Sequence, residues 1–202
     1  MRTLSILLNL EIVVSTLIGS YMRLRPRNGR TTAERASTFF RFFTTLSNEL
    51  AAFAALLILA ASLAAPGAVP RGIFLLKYAS TAAVTVTFLT VLFFLGPLFG
   101  YRNLMKGSEF FFHLVNPLCA VLSFCFCERF YPLTVPEMLL GLLPTVLYGA
   151  VYFRQVVLLG EEKGGWPDFY GFNRGGRWKL SMALMFLGTL LICAVLRLLF
   201  CL

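Results

Sequence analysis

The chain has 202 residues, of which 58% are hydrophobic and 13% are charged, and its formal net charge is +9. Its mean hydropathy is +0.80. Water-soluble domains carry about 25% charged residues, so this composition excludes an ordinary soluble domain and predicts an integral membrane protein. The positive charge does not indicate nucleic-acid binding, because most basic residues lie between apolar segments, where they encode membrane topology.

Six apolar segments are long enough to cross a bilayer, since about 20 helical residues span the hydrocarbon. They are residues 4–22, 38–64, 72–95, 110–127, 135–159 and 180–200. The sequence therefore predicts an all-α polytopic membrane protein, in which residues 1–202 form a single domain made of a bundle of six transmembrane helices.

The distribution of Lys and Arg predicts how this bundle is oriented. Of the 18 basic residues, 13 fall in or near the connections that follow the first, third and fifth segments, and 5 fall on the other side. Cytoplasmic connections are enriched in Lys and Arg, so both termini are predicted to lie outside. The membrane would be the cytoplasmic membrane of a bacterium, or the endoplasmic reticulum or plasma membrane of a eukaryote.

The five cysteines do not have the spacing of a metal site, and neither a metal nor a cofactor is predicted. We interpret them as reduced, apolar side chains. A disulfide between Cys127 and Cys201 is the alternative, because both residues should lie near the same face of the membrane.

The second segment carries several polar side chains. Thr44, Ser47 and Asn48 are spaced i, i+3 and i+4, so they share one helix face. Polar groups in a bilayer need a partner inside the protein or a function. Ser47 and Asn48 are candidate donors to an oxyanion or, more commonly, residues that tie helices together. Thr45 competes with Thr44 but points about 100° away on the helix.

The fourth segment holds the only histidine, His113, with Glu109 one turn before it and Asn116 nearly one turn after it. These three residues can share a face, and an ionisable group inside a membrane often marks a functional site. Catalysis, interhelical hydrogen bonding and ligand binding without chemistry are the open interpretations. Glu109 either orients the imidazole or, as we favour, complements the helix dipole as a first-turn carboxylate.

The depths of Thr44 and His113 are predicted to match. Both segments enter from the basic side, with Thr44 about six residues and His113 about three to five residues inside, within roughly 5–10 Å of one interface. A neutral imidazole near Thr44 can take its proton while the hydroxyl attacks an ester carbonyl. Thr44 is therefore the predicted nucleophile and His113 the predicted general base.

The connection before the last segment mixes aromatic residues with glycines. It includes Trp166, Asp168 and the aromatic residues that follow them. We favour an aromatic belt that anchors the chain at the headgroup level, and the alternative is a lid that covers the site and grips acyl chains. In the second interpretation, Trp166 contacts substrate and Asp168 is a candidate third catalytic group.

Two of these stretches carry a resemblance to a known family. The sequence FFTTLSN at residues 42–48, followed by His113-x-x-x-Pro117, resembles the androgen-induced-protein family of six-span membrane proteins and its bacterial relatives. That family includes threonine hydrolases that cleave fatty acid esters of hydroxy fatty acids. The resemblance implies that Thr44 is the nucleophile, that His113 is the essential histidine, and that membrane lipids and a long-chain acyl ester are the ligands.

The alternative function is a non-catalytic membrane transporter or lipid-binding protein. In it, His113, Glu11 and Glu49 would serve proton or solute passage. Glu11 is expected to pair with Arg154 or to form hydrogen bonds at the site. We favour the hydrolase because the sequence has neither a convincing internal repeat nor matching broken helices in two halves. No oligomeric state is predicted.

Overall fold

The computed structural model describes residues 1–26, 28–65 and 68–202. Its main helices are α1 (Arg2–Leu24), α2 (Thr32–Phe39), α3 (Phe43–Ala64), α4 (Arg71–Phe99), α5 (Ser108–Cys127), α6 (Val135–Leu159) and α7 (Trp178–Cys201). All except α2 are long and apolar enough to cross a membrane, and the described ranges contain no β-strand. The predicted all-α bundle of six membrane-spanning helices is confirmed.

The second membrane helix begins later than predicted. The chain turns at residues 40–42, after α2, so that α3 starts at Phe43 instead of residue 38 and Thr44 is its second residue. A capping box starts α2, in which Thr31 N–H donates to Glu34 Oε2 at 2.7 Å and Glu34 N–H donates to Thr31 Oγ1 at 3.3 Å. These hydrogen bonds from Thr31 lower the pKa of Glu34. The prediction that Thr44 lies about six residues inside the membrane helix is therefore wrong.

Helices α1, α3, α4 and α5 form the centre of the bundle. Where they meet, the buried residues are mostly small, which lets the helix backbones approach closely. They are Ile12, Ala51, Ala55, Val84 and Ala120. Helices α6 and α7 pack beside α4 and the end of α5 around a buried aromatic cluster that includes Phe74, Tyr78, Phe124 and Phe200.

A wide π-helical turn in α5 holds the histidine. It covers Phe111–Val115, just before Pro117, which has no N–H to donate. The N–H of Asn116 donates to a carbonyl five residues earlier. The carbonyl oxygen of Phe112 instead accepts a hydrogen bond from Asn48 Nδ2 at 3.1 Å. Turns of this kind often occur at functional sites, and here the turn joins α5 to α3.

A buried charged network lies at the other end of the central helices. Lys77 and Glu128 are both fully buried, and Asn9 connects them. Lys77 Nζ donates to Asn9 Oδ1 at 2.7 Å, and Asn9 Nδ2 donates to Glu128 Oε1 at 2.5 Å. Ser5 Oγ also donates to Glu128 Oε1, at 2.9 Å. The count of basic residues places Lys77 near the end of a membrane segment, where its charge would help to set the topology. In the fold, it is instead a core residue.

The remaining predictions about buried groups have mixed outcomes. All five cysteines are free, so the Cys127–Cys201 disulfide is not formed. Among the described residues no ion pair joins Glu11 to Arg154. Glu49 accepts a hydrogen bond from the Ser20 hydroxyl, across α1 and α3.

Candidate active site

A cavity of about 490 Å³ opens on the side of the bundle where α3 and α5 begin. It lies between α1, α2, α3, the end of α4, the start of α5 and the connection before α7. Its lining combines apolar walls with a few charged and hydroxyl groups. The lining residues are Arg23, Arg30, Arg35, Thr38, Phe39, Phe42, Thr44, Thr45, Leu95, Phe99, Asn103, Leu104, Glu109, His113, Phe169 and Tyr170. Thr44 and His113 therefore face one shared space.

The side chain of His113 is only 7% exposed, and its imidazole is fixed from two sides. Its Nδ1 lies 2.6 Å from the carbonyl oxygen of Leu104, which belongs to the short helical turn Tyr101–Leu104. A carbonyl can only accept, so Nδ1 carries the proton and the neutral ring keeps its lone pair on Nε2. Nε2 lies 3.4 Å from Glu109 Oε2, so an imidazolium formed there would be stabilised by the carboxylate.

Arg23, at the end of α1, organises the opposite side of Glu109. It forms an ion pair with the Glu109 carboxylate, and its Nη1 donates to Thr45 Oγ1 at 3.3 Å. Its guanidinium lies 4.4 Å from the centre of the Phe112 ring, a distance typical of a cation–π contact. Nothing in the sequence distinguishes Arg23 from the arginines that come after it in the next connection.

Both adjacent threonines line the cavity, although they point to different sides of α3. Thr45 is buried and accepts from Arg23, whereas Thr44 is half-buried at the first turn of the helix. The backbone carbonyl of Thr44 accepts hydrogen bonds from Ser47 Oγ at 3.1 Å and Asn48 Nδ2 at 2.8 Å. The side chains predicted to share a face with Thr44 thus hold its backbone.

The predicted supporting residues Ser47, Asn48 and Asn116 are buried outside the cavity lining. Ser47 Oγ is 2.9 Å from the hydroxyl of Thr87 in α4. Asn116 Nδ2 donates to Asn48 Oδ1 at 2.9 Å and to Thr16 Oγ1 at 3.0 Å. These contacts tie α1, α3, α4 and α5 together beneath the cavity. Glu109, in contrast, is part of the lining and contacts the imidazole.

The connection between α6 and α7, residues 160–177, forms an aromatic loop over one wall of the cavity. Its residues Phe169 and Tyr170 reach the cavity, whereas Trp166 and Asp168 do not belong to the described lining. Trp166 packs near the Tyr152 ring of α6, with ring centres 6.3 Å apart. Phe169 lies against Phe42 at 4.6 Å between ring centres.

Asp168 holds the aromatic loop in its folded shape. Its Oδ1 accepts from the Tyr152 hydroxyl at 3.0 Å and from Phe172 N–H at 2.8 Å, and its Oδ2 accepts from Asn173 N–H at 2.8 Å. A carboxylate with three donors makes strong, charge-assisted hydrogen bonds. Asp168 therefore orders the loop behind the cavity wall.

The Asp168→Ala variant is expected to open the aromatic loop without unfolding the bundle. Loss of three charge-assisted hydrogen bonds costs on the order of 3 kcal/mol locally, so exchange of the Phe172 and Asn173 amides should accelerate at least tenfold in hydrogen–deuterium exchange. Glu162→Ala, at an exposed position of the same loop, is the control and should leave these rates unchanged. Unchanged exchange in Asp168→Ala would contradict the assigned role.

The charges of the cavity favour an anionic group at its mouth. Arg30 and Arg35 line it, and the described residues place neither of them in an ion pair. Glu109 is the only carboxylate among the described lining residues, and it is already paired with Arg23. The walls are apolar, so the cavity suits an amphipathic molecule with a negatively charged end. Within the described residues, no cluster of three or more His, Cys, Asp or Glu side chains could hold a metal ion.

Fold and composition together define an integral membrane protein with six apolar helices, and the cavity that contains Thr44 and His113 combines apolar walls with charged and hydroxyl groups. No protein-family model matches the chain, and no curated protein and no solved structure matches it either. The residues of the cavity are therefore the basis for proposing a function.

Proposed function

We propose that the protein is a membrane hydrolase of lipid esters, with Thr44 as nucleophile and His113 as general base. The single observation that carries the proposal is that both residues line the same cavity, which has a fixed imidazole on one side and apolar walls around it. A buried hydroxyl becomes a nucleophile only when a base is available to it. The resemblance of residues 42–48 and 113–117 to threonine hydrolases points to the same pair.

The first half of the reaction acylates the threonine. Thr44 Oγ attacks the carbonyl carbon of the ester and its proton passes to Nε2 of His113. The Glu109 carboxylate, 3.4 Å from Nε2, stabilises the imidazolium that results. When the tetrahedral intermediate collapses, the ester C–O bond breaks and the imidazolium protonates the leaving alkoxide oxygen. The acyl chain is then esterified to Thr44.

The second half uses water. A water molecule attacks the acyl-threonine carbonyl and gives one proton to His113, which returns it to Thr44 Oγ as the carboxylic acid leaves. The position of the cavity at the basic, predicted cytoplasmic end gives water access. The membrane would be the cytoplasmic membrane of a bacterium, or the endoplasmic reticulum or plasma membrane of a eukaryote.

The lining supports a long-chain ester with a carboxylate as substrate. Phe39, Leu95 and Phe99 offer apolar surface for acyl chains that enter sideways from the lipid, and Arg30 and Arg35 offer positive charge at the mouth. Fatty acid esters of hydroxy fatty acids combine both features. The resemblance of the chain to hydrolases of such esters agrees with this chemistry.

A long-chain fluorophosphonate tests the nucleophile directly. It is expected to phosphonylate Thr44 in the wild-type protein, because the hydroxyl displaces fluoride while His113 accepts its proton. Peptide mass spectrometry of the detergent-solubilised protein locates the adduct. Thr45→Ala, which removes the neighbouring hydroxyl, is expected to keep the label, and Thr44→Ala to lose it.

Two results would contradict the proposal. Labelling that persists in Thr44→Ala would move the nucleophile to another residue. Solute flux in proteoliposomes without ester hydrolysis would favour the transporter, for which the buried Lys77 and Glu128 at the far end of the bundle are the supporting observation.

A further inference from the structure

Tyr170 contacts the first turn of α3, next to Thr44. Its phenolic oxygen accepts a hydrogen bond at 3.0 Å from the N–H of Phe43, the residue directly before Thr44 in the chain. A phenol has one proton to donate as well as lone pairs that accept. Among the hydrogen bonds of the described residues, the Tyr170 hydroxyl donates to no acceptor. Its proton is therefore available to the cavity, which Tyr170 lines together with Thr44 and His113.

We propose that Tyr170 is a further catalytic residue, whose hydroxyl donates a hydrogen bond to the oxyanion formed when Thr44 attacks the ester carbonyl. This inference rests on the proposed hydrolase function. Negative charge develops on the carbonyl oxygen beside the attacking hydroxyl, so a donor next to Thr44 is in the required region of the cavity. A donor fixed in advance stabilises such charge far better than a mobile one.

The aromatic loop holds the Tyr170 ring in place. Asp168, two residues before it, accepts hydrogen bonds from the backbone N–H of Phe172 and from the Tyr152 hydroxyl of α6, and the N–H of Tyr170 donates to the same hydroxyl at 3.2 Å. The rings of Tyr152 and Tyr170 pack at 5.3 Å between centres. The loop therefore presents the phenol to the cavity as a rigid group and not as a mobile flap.

The surroundings of Tyr170 keep the phenol protonated. Burial raises the pKa of Tyr170, and the hydrogen bonds from Phe43 and its other neighbours only partly offset this effect. The ordinary pKa of tyrosine is about 10, so the hydroxyl remains a donor throughout the physiological range. A cationic side chain would serve the oxyanion as well, but Arg23 is already engaged by Glu109 and Thr45.

The competing role is structural, in which the phenol only caps the start of α3. Tyr170→Phe removes the hydrogen bond with the Phe43 N–H whichever role is correct, so a change in stability alone does not distinguish the two roles. A donor to the oxyanion acts on the transition state and leaves substrate binding intact, whereas a cap acts on the fold. The two roles therefore differ in how kcat, KM and the affinity for a tetrahedral analogue change.

The experiment compares Tyr170→Phe with Tyr78→Phe on hydrolysis of a long-chain ester. Tyr78 is the matched control, because it is a buried tyrosine outside the cavity lining whose hydroxyl donates to the Met138 carbonyl at 2.8 Å. Loss of one oxyanion donor lowers kcat about 10²–10³-fold, so Tyr170→Phe should show this loss with a KM within about threefold of wild type. Tyr78→Phe should keep kcat within about threefold.

Inhibition by a tetrahedral analogue gives a second measurement, which would not change if Tyr170 only capped the start of α3. A long-chain trifluoromethyl ketone forms a tetrahedral adduct with the nucleophile, so Tyr170→Phe should weaken its binding by the same factor as kcat/KM while product fatty acid binds as in wild type. Unchanged kcat in Tyr170→Phe, or equal losses for the ketone and the fatty acid, would overturn the inference alone. Absence of hydrolysis in wild type, or full activity in Thr44→Ala, would overturn the hydrolase proposal and this inference together.

Discussion

Alanine at Thr44 or at His113 is expected to abolish turnover of a long-chain ester while the protein stays folded in detergent. Removal of the nucleophile leaves only the catalysis that the rest of the site provides, a loss of about 10⁴-fold or more in kcat. Removal of a general base costs about 10²–10⁴-fold. Steady-state kinetics in mixed micelles, together with thermal unfolding of each variant, measure both quantities.

His113→Asn is a more specific test of this prediction. The Asn amide nitrogen takes the place of Nδ1 and can still donate to the Leu104 carbonyl, which His113 contacts at 2.6 Å, but it has no basic nitrogen. We expect it to be as inactive as His113→Ala and closer to wild type in stability. Thr85→Ala is the control for loss of a threonine hydroxyl, since Thr85 only bonds back to the Thr81 carbonyl of its own helix. Full activity in Thr44→Ala or His113→Ala would end the proposed mechanism.

The second large effect is expected on stability. Lys77→Met should destabilise the folded bundle by about 2–4 kcal/mol, because it leaves the buried Asn9 Oδ1 without its donor and removes the positive charge that Asn9 connects to the buried Glu128 carboxylate. The connection runs through Asn9, which donates to Glu128 at 2.5 Å and accepts from Lys77 at 2.7 Å. Equilibrium unfolding in mixed SDS and detergent micelles measures the change in free energy.

Replacement of both charges distinguishes this explanation from a simple loss of packing. Lys77→Met combined with Glu128→Leu should recover part of the lost stability, since it also removes the buried carboxylate, while the buried Asn9 Oδ1 still lacks a donor. Lys179→Met, at an exposed position after the aromatic loop, should change stability by less than about 0.5 kcal/mol. A double variant as unstable as the single one would show that the charge pair is not the cause.

The six membrane helices follow from the sequence because each is a long apolar run, a local property that needs no knowledge of the fold. The break at residues 40–42 does not follow from it, because residues 39–43 read FFRFF, an aromatic run that continues directly into the apolar segment. In the fold, the Tyr148 hydroxyl donates to the Arg41 carbonyl and Phe169 packs on Phe42. These contacts come from residues more than a hundred positions away, so local pattern could not predict the late start of α3.

The candidate site, too, can be predicted from the sequence only in part. Thr44 and His113 stand out in the sequence because polar groups are rare in membrane helices, and matched depth suggested that they meet. The partners that fix the imidazole do not stand out. One is the Leu104 backbone carbonyl, which no residue type reveals, and Arg23 resembles its basic neighbours. Asp168 and Asn116 also stand out as polar residues in the sequence, but their hydrogen bonds serve the loop and the helix contacts.

The contact between His113 and the carbonyl of Leu104 has a consequence for how this protein tolerates change. The backbone oxygen is present whatever side chain residue 104 carries, so substitutions there leave the acceptor in place. An inserted or deleted residue between Gly100 and Gly107, both of which have positive φ, would carry the oxygen away from the imidazole. The connection is therefore expected to tolerate replacement of the Leu104 side chain better than a change in its number of residues.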